Sequence, residues 1–176
     1  MRLKFTLLPL ALLMLAGCTS SGFVQGVSPI TANRPFALDL IHVKTSSTSG
    51  GLAAEAQMLN DAIVSGLREA HLFQAVSGNR AELGSGSGIT VSAEITAIEK
   101  ISKSRRLWAG ALAGRARIRI RVLVADLNSG RPMETFEAGG ESSGGSALAG
   151  TTDEAIDRAA DEVVREVLNL NAQTAQ

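Results

Sequence analysis

The sequence predicts an α+β fold, a two-layer sandwich in which two helices cover one face of a mixed, mostly antiparallel sheet of four to five strands. Alternating apolar and polar residues predict two long strands, at 89–101 and 115–127. In two other segments, apolar residues recur every three to four positions, which is typical of a helix with one buried face. Because each helix has a single apolar stripe, we expect both to pack on the same side of the sheet.

The folded region is expected to begin with a buried strand and the first helix. The apolar density of 36–43 predicts a largely buried strand, and a Ser/Thr/Gly loop follows at 45–51. The helical stripe is Leu52, Ala56, Leu59, Ile63, Leu67 and Ala70. A short strand, or a helix exit leading into one, is predicted at 71–76. The stretch 77–88 is Gly- and Ser-rich but leads into a strand, so it is a flexible loop and not a phosphate cradle.

The two long strands and the hairpin after them supply the predicted core. The core-facing residues of the first long strand are Ile89, Val91, Ala93, Ile95 and Ala97. Those of the second are Ala116, Ile118, Ile120, Val122 and Val124. A tight turn at 126–130 leads into a third strand at 132–138, which we expect near a sheet edge because Pro132 has no N–H to donate.

A closing helix completes the domain after a Gly/Ser loop at 139–150. Thr151 and Glu154 have the spacing of a capping box. The apolar stripe of this helix is Ile156, Ala160, Val163, Val167 and Leu170. The domain therefore spans 36–171, and the tail 172–176 is expected to fray.

The first 18 residues have the pattern of a signal peptide. Arg2 and Lys4 precede a 12-residue apolar run at 5–16, which is shorter than the roughly 20 residues that span a bilayer. The run ends in Leu15, Ala16, Gly17 and Cys18. This order resembles the lipobox of bacterial lipoproteins, which implies removal of 1–17 and attachment of acyl chains to Cys18. An ordinary secretory signal that happens to precede a cysteine, or an uncleaved anchor, would leave the same pattern.

The residues after Cys18 indicate the destination and the reach of the anchored domain. Thr19 stands where an Asp would be expected in a lipoprotein kept at the inner membrane, so the resemblance implies a lipid anchor in the cell outer membrane and a domain facing the periplasm. Residues 18–35 contain Ser, Gly, Thr, Asn and Pro29 without periodicity, which predicts a flexible tether, whose reach would be shorter if Phe23, Val24 and Val27 docked on the domain. The sixteen residues 19–34 would span roughly 20–25 Å as a coil.

Composition and motif spacing argue against several classes of function. Removing 1–17 leaves 159 residues with 15 basic and 17 acidic side chains, a poor composition for binding nucleic acid. His42 and His71 lie on either side of a helix without other ligands at metal spacing, so we expect no metal or cofactor. With Cys18 acylated there is no free thiol, and no Ser lies in a Gly-x-Ser-x-Gly turn between strand and helix, so we expect no catalytic residue and no enzyme.

The region from about 105 to 168 resembles a family of small bacterial lipoproteins that is labelled only as a domain of unknown function. The shared features are Arg105-Arg106, the loop with Gly110 and Gly114, the strand ending in Ala125-Asp126, the turn Ser129-Gly130, the loop Gly144-Gly145 to Gly150, and an Ala-rich closing helix. This resemblance implies no catalytic residues. The order of elements is also similar to the periplasmic domain of the curli secretion lipoprotein and to lipoproteins that activate penicillin-binding proteins, which is a likeness of fold.

Two features are candidates for a partner surface. The first is a row formed by Arg115, Arg117, Arg119 and Arg121. These side chains would stand about 6.6–6.8 Å apart on one face of a strand, either as a surface for an acidic partner or lipid phosphate, or as a solvated row paired with Glu94, Glu134 or Glu137. The second is Trp108 in the apolar loop 107–114, which would either contact a membrane or partner or fold over the end of the core.

These observations favour a non-enzymatic, lipid-anchored envelope protein that presents a small α+β domain to protein partners in envelope assembly or maintenance. It would bind the membrane through Cys18 and bind a protein partner or a second copy of itself. A subunit of an oligomeric outer-membrane export channel is the second hypothesis, and an envelope hydrolase is the third.

Overall fold

The computed structural model describes residues 21–26, 39–100, 114–143 and 151–174. Six strands and two α-helices lie in these ranges. The strands are β1 (Ser21–Gln25), β2 (Leu40–Ser47), β3 (Ala75–Ser77), β4 (Gly88–Glu99), β5 (Arg117–Asp126) and β6 (Pro132–Glu141). The helices are α1 (Ala53–Glu69), between β2 and β3, and α2 (Thr152–Thr174), after β6. A 3₁₀ helix, Arg80–Glu82, lies between β3 and β4.

The six strands form one open mixed sheet in the order β1-β6-β5-β4-β2-β3. β2 is parallel to both of its neighbours, β3 and β4, and every other pairing is antiparallel. The sequence predicted four to five strands, and β1 is the strand that it did not predict. The predicted helices and the predicted mixed sheet are otherwise present.

β1 lies within the segment that the sequence predicted to be a flexible tether. It pairs antiparallel with the end of β6, from Ser21 opposite Glu141 to Gln25 opposite Glu137. Phe23 lies over Gly139 so closely that a Cβ at that glycine would be 2.5 Å from the Phe23 ring, and Val24 packs against the core. The prediction of a tether is therefore wrong for 21–25. This segment has few strand-forming residues, but its pairing with β6 and the packing of Phe23 and Val24 hold it in the sheet. Residues 18–20 and 27–35 of the predicted tether lie outside the described residues.

The third predicted strand lies next to the edge of the sheet. β6 pairs with β5 on one side and with the edge strand β1 on the other, so the prediction that it lies near a sheet edge is confirmed. Pro132 is tolerated because it is the first residue of the strand, and because β1 pairs only with residues 137–141. β6 also continues to Glu141, beyond the predicted end at 138.

Both helices pack on one face of the sheet. α1 covers β2 and β3, whereas α2 covers β6, β5 and β1. The helices contact each other at Gly66, where a Cβ would lie 2.8 Å from the Val164 side chain. The core between the layers consists mainly of Val, Ile, Leu and Ala, with Phe136 as the largest fully buried side chain. The other face of the sheet is not covered by α1 or α2.

A bulge in β4 changes which residues face the core. Ile95 lies opposite Ile120, but the next pair is Ala97 opposite Arg119, so Thr96 is an extra residue on β4. Ala97 is consequently exposed on the uncovered face, and the prediction that it faces the core is wrong. Ile98, opposite Ile118, packs against the core instead.

The predicted cap of the closing helix is present. The backbone N–H of Glu154 donates to the Thr151 hydroxyl at 3.2 Å, which is one of the two hydrogen bonds of a capping box. The Glu154 carboxylate accepts hydrogen bonds from the backbone N–H and the hydroxyl of Ser143, both at 3.0 Å, and so links the start of α2 to the chain just after β6. Neither α1 nor the described part of α2 is long and apolar enough to cross a bilayer.

Candidate functional site

The arginine row lies along the middle of the uncovered sheet face. Arg117, Arg119 and Arg121 are exposed on β5, and Arg115 is exposed just before the strand. The residues between them are at most 1% exposed: Ala116, Ile118, Ile120 and Val122. The predicted alternation is therefore confirmed, and the row is held in place because a one-residue slip would bury every guanidinium.

Carboxylates from the neighbouring strands pair with the start of the row. Arg117 Nε lies 2.6 Å from Glu141 Oε1 on β6, and Arg117 Nη1 lies 3.9 Å from Glu99 Oε2 on β4. Arg115 Nη1 also reaches Glu141, at 3.4 Å. All of these side chains are partly exposed, so each pair is worth about 0–1 kcal/mol.

The other end of the row has looser pairs. Arg121 lies 4.0 Å from Glu94 on β4 and 4.0 Å from Glu137 on β6. Both pairs agree with the prediction of a solvated row with cross-strand partners. The prediction that Glu134 pairs with the arginine row is wrong. Glu134 is 3% exposed and lies on the helix-covered face with Phe136 and Ala138.

Arg119 differs from the other three arginines. Its cross-strand neighbours are Ala97 on β4 and Gly139 on β6, neither of which carries a charge. No carboxylate among the residues that the structure describes lies within 4.0 Å of its guanidinium. Arg119 lines a groove of about 420 Å³, together with Phe23, Ala97, Glu141 and five other residues. Among the described residues, Arg119 is thus a cation without a carboxylate partner between two sets of ion pairs, and such a guanidinium can bind a carboxylate or phosphate from outside the chain.

The sequence predicted the arginine row but not the groove around Arg119. Phe23 was missed because it lies in the unpredicted strand β1, and Ala97 was missed because of the bulge. Gly139 leaves room for the Phe23 ring, and the Gly139-Gly140 pair, which lies near the end of β6, was the available signal.

The other predicted site residues lie outside the described ranges. Leu15, Ala16, Gly17, Cys18 and Trp108 belong to this group, and the cleavage, lipidation and contact assigned to them stay predictions.

The two histidines do not form a site with each other. Burial, with Lys44 and Arg80 nearby, lowers the pKa of His42 on β2 below its usual value. His71 follows α1 with a positive φ of 53°, which ends the helical path. The described ranges contain no group of three or more His, Cys, Asp or Glu side chains at metal-binding distances.

Comparisons with known proteins concern the family and the fold. A family model described as "Domain of unknown function (DUF4410)" matches residues 39–155. No curated protein matches the sequence.

Two solved structures share the fold at low sequence identity. The PelC dodecamer from Paraburkholderia phytofirmans is 12% identical, with a TM-score of 0.51 and coverage of 89% of this chain and 99% of that chain. A protein of family DUF330 from Xanthomonas campestris is 15% identical, with a TM-score of 0.51 and coverage of 84% and 93%. Neither of these likenesses carries information beyond the fold, and the predicted links to curli secretion and to penicillin-binding-protein activation stay predictions.

Proposed function

This chain belongs to the DUF4410 family of domains of unknown function, and we propose that it is a lipid-anchored envelope protein that works by binding proteins and not by catalysis. The family match covers most of the domain and brings no activity with it. The proposed role is in assembly or maintenance of the cell envelope, with the domain held at the outer membrane and facing the periplasm.

The proposed anchor is the acylated Cys18. Its support is the lipobox-like order Leu15, Ala16, Gly17, Cys18 after a short apolar run, and Thr19 favours the outer membrane. One acyl chain gives only marginal binding, at about 0.8 kcal/mol per buried CH₂, so a lasting anchor needs two or three chains. A Cys18→Ala protein is expected to carry no lipid label and to leave the membrane fraction. A labelled, membrane-bound mutant would contradict the anchor.

The observation that carries the binding role is the sheet face that α1 and α2 leave open, with Arg119 on it lacking a carboxylate partner among the described residues. Carboxylates pair with Arg117 and Arg121 on either side, so the groove offers Arg119 as a cation that none of the described carboxylates engages. A partner with a carboxylate would gain a charge-assisted hydrogen bond there without first breaking an internal pair. The rest of the row would contribute mainly orientation, since exposed pairs contribute little energy.

A second copy of the chain is the partner that we consider first. PelC, which shares the fold, is described as a dodecamer, so this architecture is compatible with self-association. The same observation supports the second hypothesis, a subunit of an oligomeric export channel. A single foreign partner in the envelope is the other outcome of a partner search.

Cross-linking in intact cells separates these outcomes. Ladders of the cross-linked chain would favour self-association, whereas one foreign protein would favour an adaptor. We expect Arg119→Glu to reduce cross-linked product to the level of a non-cross-linked sample. Arg131→Glu is the matched control, because it makes the same charge change at an exposed position beyond the row and should leave the product unchanged. Equal yields from both variants would exclude the Arg119 groove as the binding surface.

Trp108 provides a second readout of partner or membrane contact, because it is the only tryptophan in the chain. A shift of its emission on adding membranes or the captured partner would support contact. An unchanged spectrum would support the alternative, in which the loop folds over the core.

A further inference from the structure

β1 begins very close to the proposed lipid anchor. Only three peptide steps separate Cys18 from Ser21, the first residue of β1. An extended chain covers at most about 3.3–3.6 Å per residue, so Ser21 lies within about 11 Å of the anchor cysteine. The tether predicted from sequence would have allowed roughly twice that distance before the domain begins.

The position of Ser21 shows which end of the sheet lies nearest to the proposed anchor. Ser21 pairs with Glu141, Glu141 pairs with Arg117, and Arg117 pairs with Glu99. These four residues, which we call the anchor end, form a row across four adjacent strands. Because neighbouring strands are about 4.8 Å apart, the whole row extends only about 15 Å sideways from Ser21.

The hairpin turn between β5 and β6 lies at the opposite end. Nine residue steps separate Arg117 from Asp126, the first and last residues of β5. At about 3.3 Å per residue the turn is about 30 Å from the anchor end. Arg131 is exposed at this far end, as Arg115 is next to the anchor end.

No apolar patch in the described surface draws a long face of the domain onto the bilayer. The large hydrophobic side chains that are exposed there are Met58 and Leu72, at 38% and 42%, one within α1 and the other after it. Two such isolated side chains are ordinary for a soluble surface. The short connection to Cys18 is therefore what determines which part meets the membrane.

Two cationic side chains at or next to the anchor end can bind lipid phosphate. Lys100 is 46% exposed and pairs with Glu55. Arg117 is 55% exposed and pairs with Glu99 and Glu141. Exposed pairs of this kind are worth about 0–1 kcal/mol, so a lipid phosphate can compete with the carboxylates.

We propose that the anchor end of the sheet lies against phospholipid headgroups, with Lys100 and Arg117 facing the lipid phosphates, while the β5–β6 turn points away from the membrane. This inference rests on the proposed acylation of Cys18.

Depth-dependent quenching on the full-length, acylated protein tests this orientation. The protein is reconstituted into vesicles of phosphatidylethanolamine and phosphatidylglycerol that contain a lipid with a nitroxide on its headgroup. A fluorophore is placed on a single new thiol, either Arg115→Cys or Arg131→Cys, which are matched in residue type and charge change; acylated Cys18 does not react. We expect loss of fluorescence at position 115 and no loss at position 131.

A linker variant shows whether the short connection causes the orientation. Ten Gly/Ser residues inserted after Thr19 have by themselves a root-mean-square end-to-end length of about 17 Å. The inserted protein should still float with the vesicles but should lose the quenching at position 115. Unchanged quenching would overturn the role of the connection.

Flotation of the same samples separates the two proposals. A protein that does not float lacks the anchor, and the proposed function and this inference then fail together. If the protein floats, equal quenching at both positions means that a long face lies on the bilayer, and absence of quenching at both means that the domain stands away from it. Either result overturns the orientation and leaves the anchor intact.

Discussion

A methyl group at Gly140 tests how closely α2 lies on β6. In Gly140→Ala, the new Cβ would lie 2.7 Å from the backbone nitrogen of Ala159 and 2.9 Å from Cβ of Arg158, and closer still to the carbonyl oxygen of Ala155. Favourable contacts between such atoms begin at about 3.5 Å. The backbone of α2 cannot turn aside as a side chain can, so the helix must move away from the sheet by about 1 Å.

The energetic cost follows from the side chains that this movement separates. Ile156, Ala159, Ala160 and Val163 lie on the buried face of α2 next to this contact, each at most 2% exposed. A radial gap of about 0.5–1 Å removes a quarter to a half of the dispersion energy of each contact. We expect Gly140→Ala to lower the free energy of unfolding by about 1–3 kcal/mol, the usual cost of overpacking. At about 4 °C per kcal/mol, the melting temperature should fall by about 4–12 °C.

Urea unfolding of the chain from residue 19 onward, followed by circular dichroism, measures this loss. Gly84→Ala is the matched control, because a Cβ there meets nothing within 4 Å and its φ is not in the left-handed region. The control should be unchanged or more stable by about 0.4–1 kcal/mol, since alanine restricts the unfolded chain. If the two variants were equally stable, the direct contact of α2 with the β6 backbone would be refuted.

Three further predictions use the same unfolding measurement. Thr151→Ala removes the hydroxyl that caps α2 and should cost about 1 kcal/mol, so an unchanged midpoint would contradict the cap. Partial burial, with Asp161 and Asp153 nearby, raises the pKa of Asp157 in the folded state, so the contribution of this one residue to stability is lost as pH rises through the acid range; Asp157→Asn should be more stable than wild type near pH 7, with the difference vanishing at low pH. Hydrogen bonds from Ser129 lower the pKa of Asp126, so that contribution is present above the usual carboxyl pKa and is lost on acidification; Asp126→Asn should show a weaker acid dependence, and an identical pH profile would contradict the assignment.

Strands with strict alternation were predictable from local sequence. Four arginines alternate with apolar residues along 115–122, and every register that buries the apolar set must expose the arginines. The pairing of Arg121 with Glu94 and Glu137 followed from the same reasoning.

β1 could not be predicted from its own residues. Of its five residues, only Phe23 and Val24 are apolar, and they are flanked by Gly22 and Gln25. Its stability comes from the backbone of β6 and from the space above Gly139, both far along the chain. The residues around 21–25 carry no sign of these distant partners, so the tertiary contacts determine the structure of this segment and its local sequence does not.

The errors at Ala97 and Glu134 have local causes that the sequence partly recorded. After the bulge at Thr96, the remaining β4 residues point to the opposite faces from those that strict alternation predicts. The sequence indicated this change only through the apolar Ile98, which directly follows Ala97. Glu134 is two and four residues before Phe136 and Ala138, so all three side chains point to the same face of β6, which is the core face. This spacing predicts that Glu134 is buried, whereas its charge alone had suggested that it is exposed.

The pairing of β1 with β6 also sets an order in time. Ser21 and its partner Glu141 are 120 residues apart, so the strand next to the proposed anchor must wait for almost the whole chain before it can pair. At a synthesis rate of about 5–20 residues per second, these 120 residues take about 6–24 s to make, and the two strands cannot pair sooner. Until β6 is available, Phe23 and Val24 have no strand to pair with. The first of the described strands can therefore join the sheet only after the last of them is present.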